Sequence, residues 1–316
     1  MEYRKLIKFG KNSFVVSLPK AWITKHGLEK SNIVHLHVNA NSIILSPERL
    51  AGQIENKEAT LDVREDSINT IKRKIISHYI NNFKTINVIF DTNDKAQQVR
   101  SIVHNLMALE IIEQTKSTIV AKDYLNMDDI SIPGLVRKND NIIRSMFKDL
   151  NSSLQDDNFF SNVELCDNIN SRDEDVNRLT FVIMRAVKHQ INHPPAKKEE
   201  DDFQIFYGYE LAQYLERLGD EIKRLVRVFA SIEMQKHQNI KDAIVEIEQL
   251  YLQCMKAYYL RNIEMAYKIA DARQAINENI RTIAEGHKDN PHILRICERS
   301  HGIVRNIHSI TRLVYQ

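Results

Sequence analysis

The sequence predicts a multidomain α+β protein made of a small β-rich head, a small α/β middle unit and an all-α body of two tandem three-helix bundles. Short β-rich runs separated by turn residues fill the first part of the chain, strand and helix patterns then alternate, and beyond Pro133-Gly134 only helical periodicity remains. The expected domains are residues 1–50, 51–132 and 133–316.

Composition places the chain among ordinary folded proteins, with 43% hydrophobic and 27% charged residues. No apolar run approaches the roughly 20 residues of a membrane span, and MEYRKLIKFGKNSF lacks a signal-peptide core. We therefore expect a cytoplasmic protein without membrane insertion. The three cysteines are far apart and form no CxxC pair, which indicates buried thiols and no disulfide framework or zinc knuckle.

The head, residues 1–50, contains the β-rich runs LIKF, SFVVSL, IVHLHV and SIILS. Between them, LPKAWITKHG predicts a short helix ending at Gly27. Such short strands bury little apolar area, so we expect the head to dimerise. Its eight Lys or Arg against three Glu attract anions, and nucleic acid is the first candidate.

The middle unit, residues 51–132, alternates strand patterns such as TINVIF and STIVAK with amphipathic helical patterns such as SINTIKRKIISHYINNF. It contains no glycine-rich phosphate loop and no nucleophile beside a base. We expect a role as a spacer or in oligomerisation.

The body, residues 133–316, divides into helical segments at the breaks HPPAKKEEDD and KDNP. The bundles are expected at roughly 136–236 and 240–316. The predicted helices are 136–155, 158–191, 202–236, 240–260, 262–286 and 291–315.

An internal repeat relates the two bundles. CERSHGIVRNIHSITRLV at 297–314 aligns without gaps on LERLGDEIKRLVRVFASI at 215–232, which places Glu298 on Glu216. In the preceding helices, ARQAINEN at 272–279 aligns on RDEDVNRL at 172–179. The number of residues that separate matched positions differs between the two alignments, because the first bundle carries the longer loop around its proline pair.

Gly219 is unusual because it lies inside a helix pattern, where glycine costs about 1 kcal/mol relative to alanine. The acids Glu216 and Asp220 flank it one turn apart, and Asp173 and Asn177 have the same spacing on the preceding helix. From spacing alone these side chains are either oxygen ligands for a cation or solvated charges. The glycine admits either an ion or a tightly packed helix.

The motifs YLERLGD and DEDVN make residues 136–316 resemble PhoU domains, the phosphate-uptake regulator fold of two three-helix bundles. Residues 5–47, above all FGKNSFVVSLPKAW, resemble the AbrB/SpoVT family of swapped-hairpin DNA-binding domains. The order of head, middle unit and body is similar to a group of archaeal phosphate-uptake regulators.

The PhoU resemblance implies iron, zinc or another divalent metal on the acidic helix faces. The metal candidates are Asp173, Asn177, Glu216, Asp220 and Glu298. Arg273 and Gly302 replace two acidic positions in the second bundle, so no complete second cluster is expected there. Glu298 and His301 form an ExxH step, but no second step accompanies it, so we expect no ferritin-like oxidase and a polar surface role for His301.

The AbrB/SpoVT resemblance implies DNA binding by the basic face of a dimeric head. The DNA-binding candidates are Arg4, Lys5, Lys8, Lys11, Asn12 and Ser13. Two alternatives stay open: a basic edge strand that only prevents aggregation, and a head that only dimerises.

Together these features predict a regulator of phosphate uptake and phosphate homeostasis that is not an enzyme and has no catalytic residues. It would bind promoters of phosphate-uptake genes as a homodimer or larger assembly and sense metal, phosphate or transporter state through the body. One alternative is a protein-interaction regulator of a phosphate transporter ATPase or a signalling kinase. A metal-dependent enzyme using the acids of the helix pair is the other.

Overall fold

A computed structural model describes residues 3–11, 13–38, 43–47, 57–155, 163–192, 202–230 and 237–315. Two compact units are present, one holding the head and the other holding the middle unit and the helical body.

The head is built from short antiparallel hairpins. Strand β1 (Ile7–Phe9) pairs with β2 (Ser13–Val15), and β3 (His35–Val38) pairs with β4 (Ile43–Ser46). Helix α1 (Lys20–Lys25) lies between the hairpins in sequence. Gly27 follows it with φ +61°, the left-handed conformation that glycine adopts without strain, so the predicted end of the helix is observed.

Among the head residues whose side chains the structure describes, none is buried. Seven of the head's large apolar side chains are instead between 61% and 75% exposed. They are Leu6, Ile7, Phe9, Phe14, Ile33, Leu36 and Ile43. A single copy of these residues therefore forms no hydrophobic core of its own, and the exposed apolar area is of the kind that marks an interaction surface.

The middle unit is a four-stranded sheet in the order β5-β6-β8-β7, in which β5 and β6 are parallel and the other pairs are antiparallel. Helices α2 and α3 pack on it around a common apolar core, and Ser67 and Thr92 cap their amino ends. The elements are β5 (Glu58–Asp62), α2 (Ile68–Ile80), β6 (Thr85–Ile89), α3 (Asn93–His104), β7 (Leu109–Gln114) and β8 (Thr118–Asp123).

The body consists of the predicted tandem bundles. Helices α4 to α6 pack together, α7 to α9 pack together, and α6 against α9 joins the bundles around one continuous hydrophobic core. The helices are α4 (Ile132–Gln155), α5 (Val163–Asn192), α6 (Asp202–Phe229), α7 (Gln238–Leu260), α8 (Ile263–Gly286) and α9 (Pro291–Arg312). The predicted all-α body with two bundles is confirmed.

A buried arginine attaches the middle sheet to the body. Arg185 of α5 is fully buried, and its guanidinium donates to both carboxylate oxygens of Asp123 on β8, at 3.1 and 2.6 Å. Lys84 also donates to Asp123, at 2.9 Å, and Asn82 accepts from Arg185 Nε at 2.8 Å. The buried charges are thus paired and hydrogen-bonded, as burial requires.

Candidate functional site

The acidic residues predicted on α5 and α6 do come together, around a lysine. The ammonium of Lys223 lies 2.5 Å from Oδ2 of Asp173 and 2.8 Å from Oδ1 of Asp220. Asp173 is buried at 3% exposure, whereas Asp220 is half-buried and also pairs with Arg224 at 2.5 Å. A side-chain cation therefore bridges the two helices at the point where these carboxylates converge.

Glu216 lies beside this pair without an ion pair among the described residues. Burial raises its pKa, and the nearby carboxylates of Asp220 and Asp173 raise it further. Lys223 thus offsets the negative charges of Asp173 and Asp220, with which it forms ion pairs, more strongly than the charge of Glu216. The remaining candidate, Asn177, donates its side-chain amide to the backbone oxygen of Asp173 at 3.0 Å.

Helix packing accounts for Gly219. A Cβ at this position would lie 3.3 Å from Cδ1 of Ile143 on α4 and 3.4 Å from Oδ1 of Asp173 on α5. Both neighbouring helices therefore approach α6 closely at the glycine. Of the two alternatives left open by the sequence, the close approach of helices is the one observed.

The arrangement does not fit a bound metal ion. Within the described ranges, no group of three or more His, Cys, Asp or Glu side chains is placed to hold one. Lys223 already supplies a cation to Asp173 and Asp220. Glu298 is an exposed residue of α9 whose carboxylate lies 3.7 Å from its neighbour Arg299. Metal binding by the five candidates therefore has no support from the described residues and stays a prediction from the family resemblance.

The equivalent face of the second bundle is basic. Arg273 and Asn277 of α8 and His301 and Arg305 of α9 line a cleft of about 260 Å³. His301 Nδ1 lies 3.0 Å from Oδ1 of Asn277 and faces this amide across the helix pair. Sequence reasoning missed Arg305, although the internal repeat places it on Lys223 of the first bundle.

The described DNA-binding candidates lie in or beside the first hairpin of the head. Each of them is exposed, and Lys8 of β1 is paired across the hairpin with Phe14 of β2. These candidates are Arg4, Lys5, Lys8, Lys11 and Ser13. Asn12 lies outside the described residues. Basic and exposed apolar side chains therefore share one short hairpin, and the DNA-binding assignment remains a prediction.

The buried cysteines are unsuited to nucleophilic chemistry. Burial raises the pKa of the Cys254 thiol to about 12 and that of Cys297 to about 11. Since the thiolate is the nucleophile, these residues are unreactive at neutral pH. Their burial matches the prediction for them from sequence, whereas Cys166 is only partly buried.

Comparison with known families identifies two parts of the chain. Residues 7–52 match the model of the MazE antitoxin family, described as antidote-toxin recognition by a bacterial antitoxin, and residues 136–229 match the PhoU domain. The chain therefore combines a MazE/AbrB-like head with a PhoU domain, and the predicted architecture is confirmed. Both are regulatory families and not enzyme families.

The matches leave other parts of the chain without a counterpart. The PhoU match ends at Phe229, the last residue of α6, so helices α7 to α9 lie outside it. No curated protein and no solved structure matches the chain. Among the described residues, none of the helices combines the length and the apolar character that a membrane crossing needs.

Proposed function

We propose that the protein is a cytoplasmic transcriptional regulator of phosphate uptake and phosphate homeostasis. The observation that carries this proposal is the presence of a MazE/AbrB-like head and a PhoU domain in one chain. The first kind of domain suggests DNA binding, and the second suggests regulation of phosphate homeostasis. A chain with both domains suits a protein that adjusts transcription from promoters of phosphate-uptake genes to the phosphate supply.

The exposed surface of the head supports its self-association. Apolar side chains such as Phe9, Phe14 and Ile33 are 67% to 75% exposed in the single chain. A second copy of the head would remove them from water, and burial of apolar area contributes about 25 cal/mol per Å². The basic residues of the same hairpin would then be doubled in a dimer, which strengthens attraction for the phosphates of DNA.

Binding of promoter fragments at several salt concentrations tests the DNA-binding part of the proposal. We expect Lys8→Gln combined with Lys11→Gln to weaken binding and to reduce the salt dependence. The slope of log affinity against log salt should fall by about 0.9 for each phosphate contact removed. The matched control is Lys72→Gln with Arg73→Gln, which removes the same charge from exposed positions of α2.

The outcome separates the proposal from its alternative. DNA binding that is insensitive to salt, or equally affected in both double variants, would remove the DNA-reading role. A dimer without DNA binding would instead favour the protein-interaction regulator. In that case, co-purification with a phosphate transporter ATPase or a signalling kinase should be unaffected by the Lys8 and Lys11 changes.

A further inference from the structure

The basic cleft in the second bundle has the construction of a small binding site. Arg273 and Asn277 lie one turn apart on α8, and His301 and Arg305 lie one turn apart on α9. The two pairs face each other across a cleft of about 260 Å³. This volume is below the roughly 300–1,000 Å³ of pockets for drug-sized ligands, so the cleft suits a small group.

Neither guanidinium group of the cleft has a counter-ion within the described part of the chain. Neither Arg273 nor Arg305 has an ion pair among the described residues, whereas Arg224 and Arg299 pair with acids at 2.5 and 3.3 Å. In addition, Nε of Arg273 is buried without a hydrogen-bond partner in the same part of the chain. Since guanidinium stays protonated in proteins, the cleft holds two positive charges that no carboxylate of the described residues neutralises.

The neighbouring histidines respond to this positive charge. The pKa of His301 is lowered by burial and then by Arg305. The pKa of His308, two turns further along α9, is lowered by burial and then by Arg273 and Arg312. These effects agree with a local field that disfavours further protonation and favours an anion.

The internal repeat shows how this charge arises. Arg273 occupies the position of Asp173, and Arg305 occupies the position of Lys223. In the first bundle these two positions hold opposite charges that neutralise each other at 2.5 Å. In the second bundle both are positive, with Arg273 half-buried and Arg305 exposed, so the same face attracts an anion from outside.

We propose that the α8–α9 cleft binds a small tetrahedral oxyanion of the phosphate class, either free inorganic phosphate or the phosphoryl group of a larger molecule. Arg273 and Arg305 neutralise its charge through guanidinium hydrogen bonds, the strongest kind available to an oxyanion. The side chains of Asn277 and His301 complete the lining. The bound oxyanion would be the effector of the proposed regulator, so this role of the cleft rests on the proposed function.

Calorimetric titration of the full-length protein, in buffer free of phosphate and sulfate and without DNA, tests the site. The ligands are inorganic phosphate, sulfate and AMP, each added separately. We expect saturable binding of phosphate or AMP. Arg273→Gln or Arg305→Gln should weaken it about tenfold or more, because each removes a charge-assisted hydrogen bond.

Arg295→Gln is the matched control, since Arg295 is an exposed arginine of α9 that does not line the cleft. It should bind like the unchanged protein. The same ligand should raise the melting temperature of the unchanged protein and of the control, and raise it less in the Arg273 variant. This second readout also shows whether each variant is folded.

Each result has a defined meaning. Tighter binding of AMP than of phosphate supports the site and assigns it to the phosphoryl group of a larger molecule. Absence of saturable binding, or equal affinity in the cleft variants and the control, overturns the proposal. Because the titration contains no DNA, its failure leaves the DNA-binding role standing, and a failure of DNA binding leaves the titration result standing.

Discussion

At the scale of single residues, Lys223 determines the character of the acidic face on α5 and α6. The motif YELAQYLERLGDEIKRL contains this lysine three positions after Asp220, so their pairing within one helix is predictable from sequence. Its contact with Asp173, fifty positions earlier, depends on how α5 packs against α6. That second contact neutralises the buried carboxylate of Asp173.

We expect Lys223→Met to destabilise the protein by about 3 kcal/mol, because it leaves the buried carboxylate of Asp173 without its cation. Urea unfolding measures the change in free energy. Arg224→Met is the control, since Arg224 is an exposed partner of Asp220 and should cost no more than about 1 kcal/mol. Equal losses in the two variants would contradict a special role for Lys223.

Metal analysis of the same variants addresses the sequence-based metal prediction. That prediction expects at least one ion per chain in the unchanged protein, lost on Glu216→Ala with Asp220→Ala. The observed position of Lys223 instead leads us to expect less than one ion per chain in the unchanged protein, because its ammonium already pairs with Asp173 and Asp220.

At the scale of the elements, helix boundaries follow closely from local signals. The segment predicted at 262–286 is observed at Ile263–Gly286, and Asn290 and Pro291 begin α9 as a cap and a first-turn proline. Close contacts between helices, in contrast, do not follow from local signals. Gly208 of α6 has no local reason to be glycine, and its role becomes clear only from its neighbour on α4.

We expect Gly208→Ala to destabilise the protein by about 1–3 kcal/mol, although alanine favours helix, because its Cβ would lie 2.8 Å from Cγ2 of buried Ile132. Gly286→Ala is the matched control on α8, where no described atom beyond the adjacent backbone lies within 4 Å of the added methyl group. It should leave thermal stability unchanged or raise it slightly. A stabilising Gly208→Ala would show that α4 and α6 do not pack closely.

At the scale of the whole molecule, the attachment of the middle sheet to the helical body depends on Arg185. The sequence places this residue in a long helix and offers no signal for its partner. Asp123 is the last residue of β8, sixty-two positions earlier, and the pair exists only because the fold brings this end of the strand to Arg185. Phe181 of the same helix also packs on the core of the middle unit.

We expect Arg185→Ala to destabilise the protein by about 3–5 kcal/mol, since it removes one partner of a fully buried ion pair. Hydrogen exchange should show the loss of protection in β8 and α5 together. Arg281→Ala is the control, because its ion pair with Glu285 on α8 is exposed and contributes about 0.5 kcal/mol. If Arg185→Ala lowered the free energy of unfolding as little as the control does, Arg185 would not be what attaches the middle sheet to the body.

Local sequence patterns were sufficient to predict the order of head, middle unit and body, the periodicity of the helices and the basic bias of the head, because these depend on residues close together along the chain. Three features follow only from packing: Lys223 bridges Asp173 and Asp220, neighbouring helices lie close to Gly219 and Gly208, and Arg273 and Arg305 share one cleft. The physical reason is that charge balance and close packing depend on distances across the fold. A residue's nearest counter-ion or methyl group is often far away in sequence.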